Sequence, residues 1–231
     1  MKTIGMVGGI GPESTVDYYR LLIAAYRELH PDGSYPAILI NSVDLKTVLE
    51  LVATDQRARL IEFLGNAVDA LAHAGAQVGY LASNTPHLVF GELARRSPIP
   101  LVSIVESARD RASTLGLKRV GLFGTRFTMQ ASFYANTFAQ AGIDVVAPQP
   151  QDQDYIHEKY MGELVAGILL SETRAGLLRI AQLMRERDGI EALILGGTEL
   201  PLILRGDNSL GIPFLDTAQI HVNAVIAAAV A

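Results

Sequence analysis

The sequence predicts an α/β protein of two related lobes, each a mostly parallel sheet flanked by helices. Two observations carry that prediction. Short β-branched apolar runs ending in small polar clusters alternate with segments whose apolar residues recur at spacings of three and four, the pattern of βαβ units. Beneath the alternation lies an internal repeat: KTIGMVGG from Lys2 lines up with KRVGLFGT from Lys118, and GAQVGYLASNT from Gly75 with GIEALILGGTE from Gly189. Two blocks in the same order at nearly the same spacing point to duplicated lobes. Carried onward, the alignment pairs Tyr18 with Tyr134, Ser83 with Gly197, and Asn84 with Thr198.

From the N-terminus, TIGMVGG reads as a buried strand, apolar nearly throughout because helices cover both faces of a parallel sheet. The loop GGIGPEST leads into the helix VDYYRLLIAAYRELH, with Pro12 near its first turn, where proline is tolerated. Gly8, Gly9 and Gly11 offer bare amides for an anion. As a dinucleotide fingerprint this loop is weak. Ser14 stands where a third glycine or alanine belongs, and Asp44 lies well beyond the usual ~20 residues. It also lacks a P-loop lysine, so a small carboxylate fits better than a nucleotide.

AILINSVD is the second strand, and TDQRARLIEFLGNAVDALAHAG an amphipathic helix. QVGYLASNT, the third strand, delivers Ser83, Asn84 and Thr85 at its end, with His87 just beyond; LVSIV is the fourth. RVGLFGT, DVVAPQ, ALILGGT and PFLDT supply the second lobe's strands, and residues 147–154, APQPQDQD, read as a surface loop. The expected boundaries are about 1–100 plus a returning 211–231 for the first lobe, and 101–210 for the second.

Composition excludes several functions. A chain of 231 residues with 49% hydrophobic content can close a core as one large domain or two lobes. A net charge of −5 without any basic run argues against a nucleic-acid surface. With no cysteine, disulfides, thiolate metal sites and thiol nucleophiles are ruled out. The apolar end AVIAAAVA falls far short of the ~18–20 residues that cross a bilayer, and no signal-peptide pattern opens the chain, so a cytoplasmic protein with no membrane partner is expected.

Ligands of open α/β sheets bind outside the carboxyl ends of strands, where amides and helix N-termini point at them. Two similar lobes facing each other would place Ser83 and Gly197 on opposite sides of one cleft. Gly196 and Gly197 let the backbone come close to a small ligand. Thr198 and Glu199 either serve that ligand or cap the following helix.

The blocks MKTIGMVGGIGPESTVDYYR, NSVD, SNTPH, GLFGTRFTM, GGTEL and FLDTAQIH, in this order, resemble the aspartate/glutamate racemase family over essentially the whole chain. The resemblance implies two lobes related by a pseudo-twofold axis, and a pyridoxal-phosphate-independent isomerase with no cofactor and no metal. It further implies two cysteines on opposite faces of the substrate α-carbon, one removing a proton and the other returning one. It implies a small carboxylate or amino acid as partner; a homodimer is the expected assembly.

At both catalytic positions this chain departs from the pattern. Gly197 occupies the cysteine position of a GCTE-type block, and Ser83 the position before the Asn-Thr pair. A thiol has a reference pKa of about 8.5 that a site can lower. A serine hydroxyl needs an adjacent base. His87, four residues from Ser83, is a candidate base or else a packing residue; on the other face Thr198, Glu199 or water would substitute. By the resemblance, Asn84, Thr85, Thr125 and Thr198 grip the α-carboxylate. Gly8, Gly9, Arg126 and Lys46 are further candidates for a second acidic group, arginine because it can clamp a carboxylate bidentately. His221 is expected to cap or pack a helix. The expected activity is Cα proton transfer on a small acidic amino acid or dicarboxylate. A one-sided lyase or decarboxylase, and a carboxylate-binding pseudoenzyme, remain open.

Overall fold

A computed structural model describes residues 1–206 and 209–231. The chain forms two compact units, Met1–Ile104 with His221–Ala231, and Val105–Ile220. In order, unit 1 holds β1 (Ile4–Gly8), α1 (Pro12–Leu29), β2 (Ile38–Ser42), α2 (Leu45–Ala53), α3 (Arg57–His73) and β3 (Val78–Leu81). A 3-10 turn over Thr85–Val89, α4 (Phe90–Arg96) and β4 (Leu101–Val102) follow, and α5 (Ile104–Thr114) begins at the unit boundary. Unit 2 continues with β5 (Arg119–Phe123), α6 (Arg126–Gln130), α7 (Phe133–Ala139), β6 (Asp144–Val146), α8 (Pro150–Gly162) and α9 (Ser171–Asp188). It closes with β7 (Ala192–Leu195), α10 (Leu200–Leu204) and β8 (Phe214–Asp216), and α11 (Thr217–Val230) crosses the second boundary.

The two sheets repeat one topology, β2-β1-β3-β4 and β6-β5-β7-β8, with every pairing parallel. The repeat extends to single hydrogen bonds. The Ala82 amide donates to the Val7 carbonyl at 2.9 Å, and at the equivalent place the Gly196 amide donates to Phe123 at 2.7 Å. Gln77 to Thr3 and Glu191 to Arg119, both 2.8 Å, form a second matched pair. Tyr18 and Tyr134 are both fully buried.

The strand order gives each unit a topological switch point. From β1 the chain turns first to β2 on one side, then crosses to β3 and β4 on the other. The connections that follow β1 and β3 therefore leave in opposite directions, which makes this the switch point of the sheet. In unit 2 the same holds for β5 and β7. Each unit thus brings one glycine-rich strand end beside one polar strand end.

Apolar strands make the core because both faces are covered. In unit 1, Val7 and Leu81 meet the stripe Leu60, Leu64, Val68 and Leu71 of α3. In unit 2, Phe123, Leu193 and Leu195 meet Ile156, Tyr160 and Leu164 together with Leu177, Ile180 and Met184. Each such fully buried side chain contributes about 1.5–3 kcal/mol relative to exposure. Among the described residues no helix is long and apolar enough to cross a membrane.

Two expectations are corrected. The segment at 147–154 is not all loop: α8 starts at Pro150, with proline in the first helical turn and Asp152 beside the positive end of the helix dipole. Residues 211–220 do not return to the first lobe, because Leu193, Ile194 and Leu195 of β7 pair with β8. The return begins inside α11, at His221.

Candidate functional site

In unit 1, the loop after β1 is built around its own backbone. Gly9 adopts φ +82°, and a Cβ there would lie 2.1 Å from the Val43 carbonyl oxygen, so only glycine fits. A Cβ on Gly8 would lie 2.6 Å from Thr15 Cγ2. The Gly9 amide is not bare: it donates to the Thr15 hydroxyl at 2.8 Å, which in turn donates to the Gly11 carbonyl at 2.9 Å. The expected anion cradle is thus filled from within at Gly9. Asp44 caps α2, accepting from the Lys46 and Thr47 amides at 3.3 and 3.0 Å. Lys46 is highly exposed, 3.8 Å from Glu50.

The end of β3 carries Ser83, Asn84 and Thr85, all buried. His87 is buried beside them, its ring stacked on Phe90 at 4.5 Å between centroids. Its Nε2 accepts from the Ile104 amide at 3.3 Å, which leaves the proton on Nδ1 to donate to the Ser83 carbonyl at 3.1 Å. Burial, aided by nearby His221, holds its pKa down to about 3. Both ring nitrogens are engaged by backbone, so His87 has no lone pair to offer the Ser83 hydroxyl. It fixes the strand end instead of activating it.

Behind β3 lies a buried aromatic cluster. The Tyr18 hydroxyl donates to His221 Nδ1 at 2.9 Å, and His221 Nε2 donates to the Val102 carbonyl at 3.0 Å. Burial lowers the His221 pKa to about 4. The Tyr80 ring lies 5.4 Å from Tyr18, and its buried hydroxyl has no hydrogen-bond partner among the described residues.

In unit 2, Thr125 caps α6, accepting from the Thr128 amide at 3.3 Å. Its hydroxyl also lies 3.1 Å from that of Thr128. The Arg126 guanidinium is held by Asp154 at 2.7 Å, and its amide donates to His157 Nδ1 at 3.2 Å. Burial and the neighbouring Arg126 charge lower the His157 pKa. Arg126 is therefore already paired with an acid.

The end of β7 explains its two glycines separately. A Cβ on Gly196 would sit 2.8 Å from the Phe123 carbonyl oxygen and 2.6 Å from Leu122 Cδ1, so the glycine lets β7 close against β5. A Cβ on Gly197 would sit 2.4 Å from Cε2 of Tyr160 and 2.9 Å from its hydroxyl oxygen. The place where a side chain would begin is occupied by a phenol.

Tyr160 reaches that place from α8, whose buried face runs Gln153, Ile156 and Tyr160. Its hydroxyl donates to Glu199 Oε2, and the Thr198 hydroxyl donates to the same oxygen at 3.1 Å. Thr198 and Glu199 are each 1% exposed. Glu199 occupies the N-cap position of α10, but its side chain does not cap the helix. The carboxylate turns to Tyr160 instead, and burial followed by the Glu199 charge raises the Tyr160 pKa well above its ordinary value.

Unit 1 thus gathers Ser83, Asn84 and Thr85 at one strand end. Unit 2 gathers Gly197, Thr198 and Glu199 at the equivalent one, with Thr125 at the end of the adjacent strand. Tyr160 is the residue the sequence did not flag. A tyrosine within the apolar stripe of a helix, in a chain with glycine at a position expected to carry a side chain, is the signal that could have found it. Among the described residues no group of three or more His, Asp or Glu side chains converges as metal ligands would.

The sequence profile described as Asp/Glu/Hydantoin racemase matches residues 7–225. The chain is similar to an aspartate racemase homologue from Pyrococcus horikoshii OT3, at 35% identity over the whole of both chains and a TM-score of 0.86. It is similar to a proposed Asp/Glu racemase from Yersinia pestis, at 29% identity, again over the whole of both chains, with a TM-score of 0.89. Picrophilus torridus aspartate racemase shares the fold at 22% identity, covering 99% of this chain and 94% of that one, with a TM-score of 0.78.

Proposed function

The chain belongs to the Asp/Glu/hydantoin racemase family, and we propose that it transfers the Cα proton of a small acidic amino acid or dicarboxylate without any thiol. One observation supports this above the others. The two copies of the repeated sheet each end their third strand in a buried polar cluster, Ser83-Asn84-Thr85 and Thr198-Glu199. A polar cluster at a switch point in each half lies where open α/β sheets hold their ligands, and its hydroxyl and amide groups are of the kind that bind a carboxylate.

Asn84, Thr85, Thr125 and Thr198 are the proposed carboxylate-binding residues. Glu199 is the proposed acid–base group, and Ser83 stands where the other family thiol would act. Substrates named by relatives, aspartate above all, head the panel for testing.

The test is incubation in D2O with aspartate, glutamate, malate and tartrate in turn, following the Cα proton by NMR, with binding measured alongside by calorimetry. Deuterium entering at Cα supports the proposal, and binding without exchange would instead mark a carboxylate-binding protein. A second reading is favoured by Gly197, which offers no side chain on its face. It is a one-sided lyase or decarboxylase, and release of ammonia or CO2 in the same tubes would identify it.

A further inference from the structure

We propose that Tyr160 stands in for the missing side chain at Gly197, its phenol filling that space and acting with Glu199 as the proton-transfer pair of unit 2. This rests on the functional reading above and names the group that carries it out. Two independent observations converge. The Tyr160 ring and hydroxyl lie 2.4 to 2.9 Å from the point where a Cβ on residue 197 would sit. The same hydroxyl is bonded to a carboxylate that is 1% exposed and does not cap its own helix. A tyrosine that merely filled a hole would need no buried acid at its tip.

The chemistry follows from the two reference acidities. A phenol, ordinarily near pKa 10, is protonated at neutral pH and cannot accept a proton unless it gives one away. Glu199 is placed to receive it. In the forward step the substrate Cα–H bond breaks and its proton goes to the Tyr160 oxygen, while the phenol's own proton passes to Glu199 Oε2. The electron pair of the C–H bond stays on carbon, delocalised into the adjacent carboxylate, and the negative charge formerly on Glu199 now resides on substrate. Reversal returns a proton to carbon and restores the pair. Thr198, donating to the same Oε2 at 3.1 Å, orients the carboxylate.

Two experiments separate the steric half of the proposal from the chemical half. Tyr160→Phe keeps the ring and removes the hydroxyl. The expected result is a loss of Cα deuterium exchange of about 100-fold or more, with ligand affinity retained and the pH profile of the residual rate altered. Exchange and profile equal to wild type would overturn the relay while leaving the proposed function standing. No exchange in wild type with any acid of the panel would overturn both.

The steric half has a readout that needs no activity. The chain contains no cysteine, so a thiol introduced at residue 197 is the one thiol a chromogenic disulfide reagent can count. Gly197→Cys alone should lower the melting temperature by several degrees, and adding Tyr160→Ala should recover part of the loss while yielding one titratable thiol. A single variant as stable as wild type would show that Tyr160 does not hold that space, and would overturn the proposal.

Discussion

Acidification should unfold this protein early, and the two buried histidines of unit 1 set the size of the effect. His87 is held at about 3 and His221 at about 4, against an ordinary 6.5. Both are neutral in the folded chain, and in the unfolded chain both bind a proton as pH falls below 6.5. Unfolding therefore takes up protons in this window, and stability rises with pH. The stabilisation is fully present above pH 6.5 and is lost progressively toward pH 4 for His221 and pH 3 for His87. By pH 5 each histidine should cost roughly 2 kcal/mol, about 4 kcal/mol together, a large share of the 5–15 kcal/mol that typical domains have. In the unfolded chain carboxylates, with reference values near 4, are mostly ionised at pH 5, so the slope belongs mainly to imidazoles. The assay is urea unfolding at constant ionic strength from pH 7.5 to 5, with the two His resonances followed by NMR. A flat stability curve, or His87 titrating near 6.5, would show that the two buried imidazoles do not set acid stability. The latter would also restore His87 as a candidate base for Ser83.

Three further outcomes are expected. Gly9→Ala should destabilise by more than about 2 kcal/mol, since it combines a left-handed φ with a Cβ set against the Val43 carbonyl; a shift in the urea midpoint checks it. Tyr18→Phe should cost about 1–3 kcal/mol by stranding His221 Nδ1. Tyr80→Phe, in a ring 5.4 Å away, should be neutral or stabilising because its hydroxyl has no partner among the described residues. Equal effects from the two would contradict the hydrogen-bond assignment.

The central strands β1, β3, β5 and β7 were legible because strands buried on both faces need continuous apolar runs, and the half-exposed edge strands by their β-branched residues between turns. The repeat was legible through matched strand ends such as Gly8, where a Cβ would meet the Thr15 side chain, and Gly124, where it would meet the Gly196 carbonyl. What escaped lay in pairings across long stretches of chain. Pro150 and Asp152 look like loop residues by composition, yet proline and an acid suit the first turn of a helix. Tyr160 and Glu199 are 39 positions apart, and no local spacing announces that one fills the space beside the other's strand. The allegiance of 211–220 turned on β8 pairing with β7. His87 was visible as an imidazole near Ser83, but which partner each ring nitrogen takes follows from the fold alone.

The proposed proton transfer would proceed without a matched pair of thiols, since the chain has no cysteine. Unit 1 offers the Ser83 hydroxyl with His87 turned away from it, whereas unit 2 offers the Tyr160–Glu199 pair. The decisive measurement is Cα deuterium wash-in for L- and D-aspartate in separate reactions, with chiral analysis of the product at each time point. The account predicts that one enantiomer exchanges at least about tenfold faster than the other, a difference of roughly 1.4 kcal/mol in barrier, and that inversion lags behind exchange. Equal exchange of both enantiomers, with inversion keeping pace, would contradict it and show that two equally competent groups serve the reaction.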